Sequence, residues 1–91
     1  MKICIVGAGY VGLSLSVLLS QKYHVTALDV VKEKIKLINE RKSPFVDLEL
    51  ERYLKHKKLY LNATINKDDA YSDSEFVIIA TPTNYDIESG S

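Results

Sequence analysis

The chain has 91 residues, 46% of them apolar, with twelve basic residues balanced by twelve acidic ones. That length suits one small domain, the neutral balance gives no footing for nucleic acid or an anionic membrane, and no apolar run is long enough to span a bilayer. A single cysteine, Cys4, excludes an internal disulfide framework, and glycines interrupt the first apolar run before a signal-peptide core could form, so a cytoplasmic protein is expected.

In chain order, strand and helix alternate. Residues 3–6 read as a strand. A helix follows from Tyr10 to about Lys22, with Val11, Leu15, Leu18 and Leu19 at helical spacing. Residues 24–29 read as a second strand. Residues 31–41 read as a second helix, with Ile35 and Ile38 inward and Lys32, Glu33, Lys36 and Glu40 largely outward. Ser43-Pro44 breaks the pattern. Asp47 then reads as the N-cap of a short helix through about His56, burying Leu50, Tyr53 and Leu54. Residues 59–62 form an expected third strand, residues 66–72 carry a short helical turn at most, and residues 75–80 form a fourth, continuously apolar strand. This order predicts an α/β fold: a Rossmann-type parallel sheet, strand order 3-2-1-4, forming the first half of a doubly wound domain. In a complete domain of that kind the fourth strand is interior. Residues 76–80 would otherwise present a bare apolar edge, so the 91 residues read as part of a larger dinucleotide-binding domain.

The junction between the first strand and helix carries the chemistry. Gly7-x-Gly9-x-x-Gly12 follows the strand and opens the helix. Gly7 lets the chain turn sharply, Gly9 lets backbone approach a pyrophosphate, and Gly12 lets the helix pack close to the sheet. The helix start offers free N–H groups, those of Tyr10 and Val11 among them, and the positive end of a dipole. Asp29 lies twenty residues after Gly9, at the end of the second strand, where a carboxylate can accept from both ribose hydroxyls. It could also cap the helix that follows. The Tyr10 side chain has two open roles, one in the site and one as a cover for the helix start. A carboxylate at Asp29 repels a 2′-phosphate and no arginine follows it, so NAD is the expected cofactor rather than NADP.

Other reactive residue types carry less. Cys4 lies mid-strand between Ile3 and Ile5 and reads as a small buried apolar residue, not a nucleophile. His24 and His56 have no second ligand at metal spacing, so no metal site is expected.

Two segments give the chain a family resemblance. Gly7-Ala-Gly-Tyr-Val-Gly-Leu13 resembles the opening of the UDP-glucose/GDP-mannose dehydrogenase family, and Val77-Ile-Ile-Ala-Thr-Pro-Thr-Asn84 resembles that family's strand and Thr-Pro-Thr loop. The Ser43-Pro44-Phe45 loop is similar as well. The resemblance runs from Met1 to about Asp86. It implies that Asp29 and Lys34 make ribose contacts and that Thr83 contacts the cofactor. It further implies oxidation of the C6 alcohol of a nucleotide sugar to a carboxylate, as from UDP-glucose to UDP-glucuronate, using two NAD. In the family that chemistry passes through a thiohemiacetal and a thioester on a cysteine far downstream. Neither that cysteine nor the assisting lysine has a counterpart here, and Cys4 does not match the motif. No catalytic residue is therefore expected in this chain, which should hold NAD without turning over. The resemblance implies a UDP-sugar partner and a homodimer for the full-length protein. Two other readings share the same opening. One is an NAD-sensing regulatory module of the kind that gates potassium transport, which has no need of the Thr-Pro-Thr loop. The other is a different NAD-dependent dehydrogenase acting on a sugar or hydroxy acid, because fold analogy alone names no substrate.

Overall fold

A computed structural model describes residues 1–80; Thr83 and the Thr-Pro-Thr loop lie outside the described residues. The elements are β1 (Lys2–Val6), α1 (Tyr10–Leu19), β2 (His24–Leu28), α2 (Lys32–Asn39), α3 (Leu48–His56), β3 (Leu61–Thr64), α4 (Lys67–Tyr71) and β4 (Phe76–Ile79). The four strands form one parallel sheet in the order β3-β2-β1-β4, as expected. Pairing puts Ile3 beside Val25 and Phe76, Ile5 beside Ala27 and Ile78, and Val6 beside Leu28 and Ile79. Alternation across the pleat therefore sends Ile3, Ile5, Val25, Ala27, Leu61 and Ala63 to one face. There they pack with Leu13 and Val17 of α1, Ile35 and Ile38 of α2, and Leu50 and Leu54 of α3. Cys4 and Leu28 face the other way and meet Ala70 of α4. Cys4 is fully buried, and that burial pushes its thiol pKa up.

Several boundaries differ from the sequence reading, each for a local reason. α1 ends at Leu19, whose carbonyl accepts from both Lys22 and Tyr23 and closes a turn. Its buried face is Gly12, Leu13, Ser16 and Val17, while Val11 and Leu18 are exposed. Gly12 and Ser16 bring the helix close to the sheet, and Leu13 and Val17 fill the core beside them. α2 stops because Arg41 takes a positive φ of 63°, and the Lys42 N–H then reaches back to the Leu37 carbonyl at 2.8 Å. Tyr53 is half-buried rather than buried. β3 begins at Leu61, two residues later than expected. Leu59 is instead a core residue beside it, and Tyr60 bonds to Ser20 and Val25 across the sheet end.

The outer edge of β3 is covered by two side chains to which the sequence pattern gives no role. Asn39 accepts from the Ala63 N–H and donates to its carbonyl, both at 2.9 Å. The Arg41 guanidinium donates to the Leu61 carbonyl at 2.9 Å and the Leu59 carbonyl at 3.4 Å. An amide and a guanidinium thus take the partners that another strand would otherwise supply. Beyond β4 no described strand pairs, and Phe76, Val77 and Ile79 are exposed.

Candidate cofactor-binding site

The site forms where β1 and β2 end. The Gly7 N–H donates to the Leu28 carbonyl at 2.7 Å, carrying the ladder one step past β1. Gly7 then adopts φ 105°, a left-handed conformation that side chains resist, and the chain swings off the sheet. Gly9 follows in extended conformation as the N-cap residue of α1. No side chain caps this helix start and no acid lies in its first turn, so its leading N–H groups face outward at the positive end of the dipole.

The three glycines have different reasons to be glycine. A Cβ on Gly12 would sit inside the Gly7 carbonyl oxygen, 2.9 Å from the Gly7 carbonyl carbon and 3.4 Å from the Ala80 Cβ. The fold itself demands Gly12. A Cβ on Gly9 would meet nothing within 4 Å among the described residues, and its φ of −71° is open to any residue. Packing among the described residues therefore gives no reason for glycine at position 9.

Asp29 closes the turn. Its Oδ2 accepts from the Ala8 N–H at 2.7 Å and its Oδ1 from the Val31 N–H at 3.0 Å. One oxygen fastens the glycine turn, and the other holds the N–H of Val31, the N-cap residue of α2, so Asp29 steadies the entry to that helix without being its cap. The Lys34 ammonium lies 3.7 Å from Oδ2 and 3.5 Å from the Ala8 carbonyl. Only 12% of the Asp29 side chain is exposed. Burial pushes its pKa up, but the Ala8 and Val31 N–H groups and the Lys34 ammonium outweigh burial and hold it below the ordinary carboxylate range. Asp29 is thus an anion at neutral pH, with lone pairs to spare.

Between these parts lies a cleft of about 490 Å³, lined by Gly7, Gly9, Asp29, Lys34, Ile65 and Tyr71 among others. It opens at the carboxyl ends of the strands, where ligands bind in open α/β sheets. One wall is apolar, from Val6, Leu28, Val30 and Ile65, and suits a flat ring. Val11 lies at the helix start with its side chain exposed. A second cleft of similar volume, lined by Lys2, His24, Tyr60 and Asn62, lies at the amino ends of the strands and has no glycine turn. Among the described residues no group of His, Cys, Asp and Glu is placed to hold a metal, and no helix is long and apolar enough to cross a membrane.

The Tyr10 side chain turns away from the cleft. Its hydroxyl donates to Asp47 Oδ2 at 2.7 Å, and its ring meets Phe45 edge-on at 6.0 Å. Asp47 caps α3, as expected, by accepting from the Leu50 N–H at 3.0 Å. The contact between Tyr10 and Asp47 had no signal in the sequence, because 37 residues separate the partners.

The sequence pattern of the UDP-glucose/GDP-mannose dehydrogenase family's NAD binding domain matches residues 1–90. The chain belongs to that family and is its NAD-binding domain. It is 53% identical over 88 residues to UDP-glucose 6-dehydrogenase of Streptococcus pneumoniae, a match covering 97% of this chain and 22% of that protein. It is 38% identical over 97 residues to GDP-mannose 6-dehydrogenase of Pseudomonas aeruginosa, covering 99% of this chain and 22% of that one. Its structure is similar to the crystal structure of a ternary complex of GDP-mannose dehydrogenase from Pseudomonas aeruginosa, with a TM-score of 0.84 and 34% identity over 97% of this chain and 21% of that chain. The chain thus spans about a fifth of the length of the relatives it matches.

Proposed function

We propose that this chain is the cofactor-holding part of a dehydrogenase that oxidises UDP-glucose at C6 to UDP-glucuronate. The observation that carries the reading is a juxtaposition. The uncapped start of α1 and the ionised Asp29 share one cleft, and Gly9 leaves the backbone beside it open, with no described residue within 4 Å of where a Cβ would stand. Gly7, Gly9 and Gly12 shape the turn, and the N–H groups of Tyr10 and Val11 face the pyrophosphate. Asp29 accepts from the adenosine ribose, with Lys34 beside it. Thr83, which follows the fourth strand in the sequence, is a further cofactor contact.

Held there by the glycine turn and Asp29, NAD would supply the hydride acceptor. The chain's own task is to bind, to orient and to select. Asp29 selects by repelling a 2′-phosphate with a charge that its N–H donors and Lys34 keep in place. Taking an alcohol to a carboxylate removes two hydrides and adds water, so each sugar consumes two NAD. The nucleophilic cysteine, its lysine and the sugar pocket belong to a second domain outside these 91 residues, joined through a central helix, in a protein that acts as a homodimer. The reading also places the protein in the cytoplasm, in keeping with its one buried thiol.

Stoichiometry tests this. With UDP-glucose and NAD⁺, the full-length product should release two NADH per sugar, and the 91-residue chain should release none. One NADH per sugar, no reaction by the full-length product, or turnover by the chain alone would contradict it.

A further inference from the structure

Tyr10 occupies the first position of α1, so its backbone belongs to the phosphate-facing end of the helix. Its side chain belongs to something else. The hydroxyl spends itself on Asp47, while the other oxygen of that carboxylate caps α3. One carboxylate is therefore shared between the start of α1 and the start of α3.

The loop between α2 and α3 is pinned at a second point. Ser43 Oγ accepts from the Phe45 N–H at 3.0 Å and donates to the Phe45 carbonyl at 2.7 Å, which fixes the backbone that carries the Phe45 ring. That ring has two neighbours: the Tyr10 ring, edge-on, and the Lys34 ammonium, 5.8 Å from its centroid. Lys34 in turn reaches Asp29, and Asp29 holds the Ala8 N–H, two residues before Tyr10. The contacts close into a ring that leaves the glycine turn at Tyr10 and returns to it at Ala8.

The Tyr10 side is poorly suited to a purely stabilising role. Tyr10 is 54% exposed. A charge-assisted hydrogen bond in that setting adds little to folding, because water competes for both partners. Holding a loop in one orientation needs only the geometry.

We propose that Tyr10 is a positioning residue for the adenosine end of the cleft. Its hydroxyl, donated to Asp47, anchors the loop between α2 and α3, and the Phe45 ring of that loop keeps Lys34 against Asp29. This rests on the reading that the cleft takes NAD, and it adds a residue that acts through others without touching the ribose.

The Tyr10→Phe variant removes the hydroxyl and keeps the ring. In the 91-residue chain it should weaken NAD⁺ binding by about threefold to tenfold, the scale of one lost hydrogen bond. Inorganic pyrophosphate, which needs only the helix start, should bind it as it binds wild type. The thermal midpoint should move by less than about 4 °C. Without nucleotide, the NMR signals of Phe45, Lys34 and the Ala8 amide should all shift. A variant that binds NAD⁺ as wild type does, or that loses NAD⁺ and pyrophosphate to the same degree, would overturn the proposal. A wild-type chain that ignores NAD⁺ would instead count against the cofactor reading. The nucleotide-free spectra would then decide the anchor: shifts confined to Tyr10 and Asp47 would overturn it, and shifts reaching Lys34 and Ala8 would support it. Phe45→Leu provides a second route, since it cuts the path beyond the hydroxyl and should reproduce the selective loss of NAD⁺.

Discussion

Adding one methyl group at Gly9 and at Gly12 should separate what the fold needs from what the ligand needs. At Gly12 the new Cβ strikes the Gly7 carbonyl, a backbone group that cannot rotate aside. Relief requires α1 to lift from the sheet, which loosens Leu13 and Val17 against Ile5. Overpacking of this kind costs up to about 3 kcal/mol, and in a domain this small that lowers the thermal midpoint by roughly 12–24 °C. At Gly9 the Cβ meets no described residue and the φ is ordinary. Lower unfolded-state entropy favours alanine there by about 0.4–1 kcal/mol, and alanine's weakness as an N-cap offsets it by a similar amount. Stability should stay within about 1 kcal/mol of wild type. The methyl group nevertheless stands where a pyrophosphate must touch backbone, so NAD⁺ affinity should fall by about tenfold or more. Urea denaturation gives the first quantity and calorimetric titration the second. Wild-type affinity in Gly9→Ala, or wild-type stability in Gly12→Ala, would refute the reasoning about that position.

Two other outcomes follow from the same structure. The folded-state pKa of Asp29 lies below its ordinary value of 3.8, so its contribution to stability is fully present above that pH and is lost as pH falls through the folded value; urea midpoints between pH 2 and 7 should show a shallower acid limb in Asp29→Asn, and identical limbs would count against the assignment. Asn39→Leu keeps the side-chain size but leaves the Ala63 N–H and carbonyl without their partner, which should cost about 2 kcal/mol in urea denaturation; a cost below about 0.5 kcal/mol would mean that water replaces the amide.

The parts of this structure that sequence reveals are those with local periodicity or a fixed spacing. The glycine turn and Asp29 are legible because both occupy set positions relative to β1 and β2, and strand order follows from right-handed crossovers. The start of β3 is not legible. Leu59 and Leu61 are equally apolar and both buried, and only hydrogen bonding decides which of them begins the strand. Asn39 and Arg41 are hidden for another reason. A polar residue at a helix end looks solvated in sequence, and nothing local reveals that a strand edge lies beside it. The buried face of α1 is hidden because helical spacing alone does not choose between the stripe of Val11 and Leu18, which is exposed, and that of Leu13 and Val17 beside Gly12 and Ser16, which is buried. Asp47 was legible as a cap, but its second partner, Tyr10, was not.

The central claim is that the cleft beside Gly9 and Asp29 takes NAD and refuses a 2′-phosphate. The most direct test is an NMR titration of this chain with NAD⁺ and, separately, with NADP⁺. The account predicts shifts at Gly7, Gly9, Gly12 and Asp29 with NAD⁺ and a much weaker response to NADP⁺. Equal response to both nucleotides would contradict it, as would shifts centred on His24, Tyr60 and Asn62 at the opposite end of the sheet.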